Sequence, residues 1–190
     1  EAPRAVAERV LRAEAEAVLA AVEALDGAFD AAVARLTACE GNAIVSGLGK
    51  SGLIGRKLSA TLASTGTASH FVHPSEAMHG DIGRLGPRDL LILLSFGGET
   101  EEVLALAAVA RQDGLGIISI TGGRDNHLAR LSDAAISVGQ PGEACAHNLA
   151  PTASTAAMMA VGDALALAVS ERRRFSADDF RKRHPGGSLG

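Results

Sequence analysis

Ala43-Ile44-Val45-Ser46-Gly47-Leu48-Gly49-Lys50-Ser51-Gly52 is the stretch whose reading decides the fold. A short apolar run enters a glycine turn, and an amphipathic segment, residues 53–64, leaves it. Strand, glycine turn and helix in that order aim several backbone N–H groups at one point, where an anion is held. Lys50 adds a cation to the same turn. A phosphate-bearing ligand is the first expectation.

Outward from this turn the pattern alternates. Residues 43–46, 69–73, 90–94, 116–121 and 134–138 read as strands, and 53–64, 101–112, 126–131, 151–170 and 176–183 as helices, the last capped by Ser176. Leu90-Leu91-Ile92-Leu93-Leu94 is apolar throughout, the mark of a strand buried on both faces. The expectation is an α/β fold: a parallel sheet of about five strands flanked by helices, with ligands at the carboxyl ends of the strands. Upstream, residues 3–38 read as helix broken near Asp26-Gly27. Val6, Val10, Val18, Val22 and Leu25 keep to three- and four-residue steps and predict one apolar face, turned to the chain's own core or to another subunit. The closing residues 185–190 read as a loop.

Composition removes several function classes. With 190 residues the chain fits one domain, and 47% hydrophobic against 21% charged residues is globular. A net charge of −4 without a dense basic stripe argues against nucleic acid or an anionic membrane as partner, and Arg172-Arg173-Arg174 reads as a solvated helix end. No apolar run is expected to reach the roughly 18–20 residues of a membrane span, and the N-terminus lacks a signal-peptide pattern. Cys39 and Cys145 form no disulfide framework, so a reducing, cytoplasmic location is the expectation. Trp and Tyr are absent, which leaves little for base stacking.

Motifs narrow the ligand. Residues 47–52 satisfy G-x-G-x-x-G, but the dinucleotide fingerprint also needs an acid about 20 positions on. That region reads His70-Phe71-Val72-His73-Pro74, and the nearest acid is Glu76. A P-loop would need glycine at position 44, which is Ile44. A second constellation, Ser95-Phe96-Gly97-Gly98-Glu99-Thr100-Glu101-Glu102, again sets glycines and hydroxyls before a helix. Its acids suit a helix N-terminus by dipole alone. Successive helical residues point about 100° apart, so at most two of the three can face one ligand. Further candidates are Glu143 to His147 followed by the helix start at Pro151 to Thr155, His79-Gly80-Asp81, and His184-Pro185-Gly186-Gly187. The six histidines share no H-x-x-x-H pairing, and no metal site is expected.

Taken together, five blocks resemble the sugar isomerase (SIS) domain family and, within it, the D-arabinose 5-phosphate isomerases. They are residues 47–67, 71–85, 95–102, 143–166 and 180–190, in the family's order and spacing. The resemblance implies a Rossmann-like three-layer sandwich and an aldose–ketose isomerase interconverting D-arabinose 5-phosphate and D-ribulose 5-phosphate for 3-deoxy-D-manno-octulosonate and lipopolysaccharide synthesis. It implies no cofactor and a homotetramer with active sites shared between subunits. It also implies the short form of the family: a single domain with a helical segment at 1–39, an α/β core at 40–190 and no regulatory module of the cystathionine-beta-synthase type.

The positions matching the family's functional residues are Lys50, His79, Glu102, Glu143 and His184. Phosphate would be held by Ser51, Ser95 and Thr100 together with Gly49, Gly97 and Gly98. Moving a carbonyl between C1 and C2 passes through an enediolate, so one base must serve adjacent carbons. Glu143 is the first candidate and Glu102 the second, with Lys50 opposite the developing negative oxygen. His184 or His79 would open the ring or carry protons between oxygens. The family has a polar residue and a serine where this chain has Phe96 and Gly97. A lost hydroxyl-to-phosphate bond costs on the order of 1.5–3 kcal/mol. The alternatives are an isomerase of another phosphosugar and a non-catalytic sugar-phosphate sensor, with a dinucleotide oxidoreductase last.

Overall fold

Five apolar runs pair into one parallel sheet in this computed structural model, which describes residues 2–186. Residues 187–190, the end of the closing block and of the loop expected there, lie outside the described residues. The strands are β1 (Ala43–Gly47), β2 (Ser69–Phe71), β3 (Leu90–Leu94), β4 (Gly116–Thr121) and β5 (Ala134–Ser137), in the order β2-β1-β3-β4-β5. Register aligns Val45 with Ile92 and Ile92 with Ile118. Alternate residues therefore enter opposite layers. Val45, Ile92, Leu94, Ile118 and Ile120 pack on one face, and Ile44, Leu91, Leu93 and Ile117 on the other.

The helices are α1 (Pro3–Ala24), α2 (Gly27–Ala38), α3 (Gly49–Ser64), α4 (Pro74–Ala77), α5 (Glu101–Gln112), α6 (His127–Leu131), α7 (Ala153–Arg172) and α8 (Ala177–Arg183). Helices α2, α3 and α7 cover the first face through Leu36, Leu58, Leu62, Met158 and Leu165. Helices α5 and α6 cover the second through Val103, Leu106, Ala107 and Leu128. The expected three-layer sandwich is present. Burying a side chain of this size contributes about 1.5–3 kcal/mol, so the alternation in the strands pins both layers.

Several details differ from the expectation. Helix α3 begins inside the glycine turn, at Gly49, so Lys50 is a first-turn helical residue. Two short elements were not anticipated: α4, started by Pro74, and a 3₁₀ turn over Asp81–Arg84. Helix α1 buries its expected face only in part: Val6, Val10 and Val18 are half-buried and Leu25 packs against the core, whereas Val22 is exposed. Its buried residues are Ala17 and Ala21, which pack in the same cluster as α7, while Leu11, Leu19 and Val22 are more than 60% exposed. Small side chains let the two helix backbones approach, and the valines are carried to the flank.

Helix α7 also corrects the membrane argument. It is 20 residues long with mean hydropathy 1.5, enough by length and composition for a span, yet half of it is buried inside the protein. A helix apolar all round is what a core position demands. Asp163 in its middle pairs with Lys57 of α3. Just beyond it, Arg173 is no solvated helix end. Its guanidinium donates to the Leu36 carbonyl at 2.6 Å, to the Cys39 carbonyl at 3.3 Å and to Thr67 Oγ1 at 3.3 Å. One side chain thereby closes the open carbonyls of α2 and ties them to the turn before β2.

Candidate functional site

Strand order 2-1-3-4-5 reverses direction between β1 and β3, and ligands of open parallel sheets bind outside the carboxyl ends at that reversal. The two loops leaving it are the glycine turn after β1 and residues 95–100 after β3. Both bend through left-handed glycines, Gly49 at φ 59° and Gly98 at φ 69°. Both open into helices whose N-caps, Leu48 and Thr100, make no side-chain capping bond. The first-turn N–H groups of α3 and α5 are left for a ligand, with the positive ends of two helix dipoles beside them.

The second loop is tightly built. Buried Ser95 places its Oγ 2.9 Å from Thr100 Oγ1, and the Gly98 N–H donates to it at 3.1 Å. A Cβ on Gly98 would overlap the amide of Asn126, which caps α6 by accepting from Ala129 N at 2.8 Å. Phe96 lies against Gly122, where a Cβ would come 2.8 Å from its ring, and its carbonyl accepts from Gly122 N at 2.8 Å. Glu99 has a structural task. It accepts from the His127 N–H at 3.0 Å and lies 2.6 Å from His127 Nδ1, and the backbone bond foremost holds its carboxyl below the usual value.

The long helix α7 opens differently. Its N-cap, Thr152, also lacks a side-chain cap of its own, and the carboxylate of Glu143 fills the position instead. Glu143 Oε2 accepts from Thr152 N at 2.8 Å, Thr152 Oγ1 at 3.2 Å and Ser154 N at 3.3 Å, while Oε1 accepts from the Ser154 hydroxyl. Burial pushes the Glu143 carboxyl up, but these hydrogen bonds outweigh it and hold the group below its ordinary range. The surrounding loop is braced. Asn148, at φ 53°, accepts from Glu143 N, Arg9 of α1 donates to the Ala144 carbonyl at 2.8 Å, and Cys145 Sγ accepts from Leu149 N and Ala150 N.

A cleft of about 220 Å³ joins these parts. Lys50, Ser51, Glu143, Ser154 and Thr155 supply its polar lining, and Leu48, Phe96 and Met158 its apolar wall. On the other side of Lys50 a cleft of about 530 Å³ runs along Gly49, Arg56, Phe71 and His73, with the Arg56 guanidinium 4.3 Å from the centre of the Phe71 ring. Lys50 is the ridge between the two. Among the described residues no hydrogen bond or ion pair engages its ammonium, so its charge is available to a ligand.

Of the residues singled out in the sequence, Lys50, Ser51 and Glu143 meet in the smaller cleft. Gly49, Ser95, Gly98 and Thr100 shape the two loops, and Gly97 is exposed at the tip of the second. Glu102 is half-buried in the first turn of α5 and makes no hydrogen bond or ion pair among the described residues. His79 is exposed just before the 3₁₀ turn. His184 ends α8, stacked on Phe180 at 3.9 Å with its Nδ1 2.8 Å from the Phe180 carbonyl. Neither histidine lines the Lys50–Glu143 cleft. Thr152 and Ser154, the partners of Glu143, were not among the site residues singled out in the sequence. The available signal was a Pro-Thr-Ala-Ser-Thr helix start with an unassigned acid upstream. Among the described residues no cluster of His, Cys, Asp and Glu could hold a metal ion.

Two helix N-termini without side-chain caps at the switch point, a lysine with no partner among the described residues and a held carboxylate in one cleft with it make a parallel α/β domain whose geometry suits an anion and acid–base chemistry. The chain belongs to the SIS domain family, which matches residues 36–168. Arabinose 5-phosphate isomerase KpsF of Escherichia coli is 53% identical over 152 residues, 80% of this chain and 48% of that protein. Arabinose 5-phosphate isomerase KdsD of Salmonella typhi is 45% identical over 181 residues, 95% of this chain and 55% of that protein. The chain thus spans about half the length of the curated relatives it matches. An E. coli CFT073 protein solved in complex with A5P is 39% identical, with a TM-score of 0.90 over 94% of this chain and 95% of that one.

Proposed function

We propose that this chain is an aldose–ketose isomerase interconverting D-arabinose 5-phosphate and D-ribulose 5-phosphate through an enediolate. The observation that carries the proposal is the cleft that Lys50 and Glu143 both line at the uncapped N-terminus of α3. A sensor needs only the phosphate cradle; a carboxylate and a free ammonium around the same small volume suit proton transfer. The names of the relatives and the A5P complex of the 39% identical protein support the choice of pentose.

In this reading phosphate lies between the turn after β1 and the loop after β3, on Ser51, Ser95, Thr100 and the backbone N–H groups of Gly49 and Gly97, while the Gly98 N–H stays on Ser95 Oγ and holds it in place. Glu143 takes the proton from C2 of the open-chain aldose, and the electron pair moves to form the C1–C2 double bond with negative charge on O1. Lys50 stabilises that oxygen. Glu143 returns the proton to C1, O1 gains a proton and O2 loses one, which leaves the ketone at C2. Positioned acid–base groups contribute about 10²–10⁴-fold each. Glu102 remains the second candidate for the base. His79 and His184 are the candidates for ring opening and oxygen-to-oxygen transfer. Neither lines the Lys50–Glu143 cleft, which fits a homotetramer in which a neighbouring subunit supplies them. The ketose–aldose step would feed 3-deoxy-D-manno-octulosonate and lipopolysaccharide synthesis in the cytoplasm, with residues 1–190 acting as one SIS domain. The test is direct: incubate the protein with arabinose 5-phosphate and follow ribulose 5-phosphate. Turnover is expected; its absence with every pentose phosphate overturns the proposal.

A further inference from the structure

The four hydrogen bonds to Glu143 are unevenly divided. Oε2 accepts from Thr152 N, Thr152 Oγ1 and Ser154 N, whereas Oε1 accepts only from the Ser154 hydroxyl. A carboxylate oxygen has about two lone-pair directions, so Oε2 is saturated and Oε1 keeps one direction open. Two of the donors on Oε2 are backbone N–H groups at the start of α7, which cannot turn away or become acceptors. The Ser154 hydroxyl can do both. It is 1% exposed as a residue and lines the same cleft as Lys50.

We propose, resting on the isomerase reading above, that Ser154 and Thr152 are positioning residues that commit Glu143 Oε2 to the helix and reserve Oε1 as the oxygen that takes and returns the substrate proton. In the resting enzyme the Ser154 hydroxyl donates to Oε1. When Oε1 has accepted the proton from carbon, the new O–H has two possible acceptors, the substrate carbon and Ser154 Oγ. Rotation of the serine hydroxyl keeps the pair bonded in both protonation states without moving a heavy atom. The proton leaves carbon, resides on Oε1 and returns to the neighbouring carbon, and Ser154 gains or loses nothing overall. Fixing one oxygen also fixes the carboxylate plane, so that one lone pair can serve C1 and C2 in turn.

The charged and titratable groups around Glu143 are Lys50 of α3, which lines the same cleft, Arg9 of α1 on the neighbouring Ala144 carbonyl, and Cys145 and His147 on its own loop. None of them is altered by a substitution at Ser154.

The experiment compares Ser154→Ala and Ser154→Thr, each in the native and Glu143→Gln backgrounds. Loss of one charge-assisted hydrogen bond corresponds to about 10–100-fold. Ser154→Ala is expected to lower kcat by that factor with KM within about twofold. It should also move the acid limb of the kcat/KM profile to higher pH, because an unsupported carboxylate protonates earlier. Ser154→Thr, which keeps the hydroxyl, should recover most of the rate. In the Glu143→Gln background Ser154→Ala should change kcat by less than twofold. Equal losses in both backgrounds, or an unmoved acid limb, overturn the positioning role and leave Ser154 a packing residue. A readout independent of turnover is the titration of the Glu143 side-chain carboxyl carbon by NMR. Its midpoint should rise in Ser154→Ala, and an unchanged midpoint overturns the inference even if no pentose phosphate is turned over. Absence of turnover together with a raised midpoint overturns only the isomerase reading.

Discussion

Replacing Gly98 by alanine should cost this protein about 1.5–4 kcal/mol, and the figure follows from two facts about one position. At φ 69° an added Cβ crowds its own backbone, a strain of about 1–2 kcal/mol. The same Cβ would overlap the Asn126 amide and lie 2.8 Å from Asn126 Cβ. Asn126 is 5% exposed, caps α6 through Ala129 N and donates to the Gly123 carbonyl at 2.6 Å. Losing such a cap costs about 0.5–2 kcal/mol. For a chain of this size each kcal/mol moves Tm by about 2–4 °C, so a drop of roughly 5–15 °C is expected. The assay is thermal unfolding beside Gly97→Ala, where a Cβ meets nothing within 4 Å and the change should stay within about 0.5 kcal/mol. Binding of inorganic phosphate should weaken in Gly98→Ala alone, because the backbone shift that relieves the Cβ clash carries the position-98 N–H away from Ser95 Oγ. A Gly98→Ala protein that melts within 2 °C of the parent would refute the reasoning about this loop.

Further outcomes can be checked in the same way. Gly97→Ser adds a hydroxyl at an exposed loop tip without a clash and should tighten phosphosugar binding by roughly 10-fold or more by calorimetry; unchanged affinity would show that position 97 does not meet the phosphate. Arg173→Ala removes a guanidinium shared among the Leu36, Thr37 and Cys39 carbonyls and should lower stability by about 2–3 kcal/mol in urea unfolding, with Arg173→Lys recovering little because it lacks the planar fork. For Asp89 and Asp133 burial pushes the carboxyl up. The bonds from Asn42 and Gly86, and from Ile117 and Arg111, outweigh it, so both lie below their ordinary 3.8 in the folded state. A carboxyl with a lowered folded value binds more protons when unfolded. Its contribution is therefore present above about pH 4 and lost as pH falls through the folded value. Unfolding free energy should be flat in these two groups from pH 5 to 7 and fall below pH 4; a rise on acidification would contradict the assignment.

Much of this molecule was legible in the residues, and the gaps have physical causes. Leu90–Leu94 and Gly116–Thr121 were read with their observed bounds, because a strand apolar on both faces has one home, the middle of a covered sheet. The face of α1 was read without its closest contacts, because three- and four-residue steps identify an apolar stripe and not the residues that touch its partner. The packed side proved to be Ala17 and Ala21, which carry little hydropathy signal but permit close approach. Arg173 looked like surface charge because a capped carbonyl leaves no trace in composition. The lysine, the glycines and the upstream acid of the site were visible as separate motifs. That Glu143 closes the N-terminus of α7 was not, since the contact depends on a loop folded back through Asn148 and Thr152. The resemblance singled out Glu102, but the structural task of Glu99 showed only once α6 stood beside it to donate the His127 N–H to its carboxylate.

The central claim is that the Lys50–Glu143 cleft moves a proton between adjacent carbons of a pentose phosphate. The measurement closest to it is conversion of D-arabinose 5-phosphate to D-ribulose 5-phosphate in deuterated water by the native protein and by Glu143→Gln. The account predicts turnover with solvent deuterium entering at carbon in the native protein. It predicts a loss of about 10²–10⁴-fold in Glu143→Gln, with substrate affinity retained. Turnover undiminished in Glu143→Gln would contradict it.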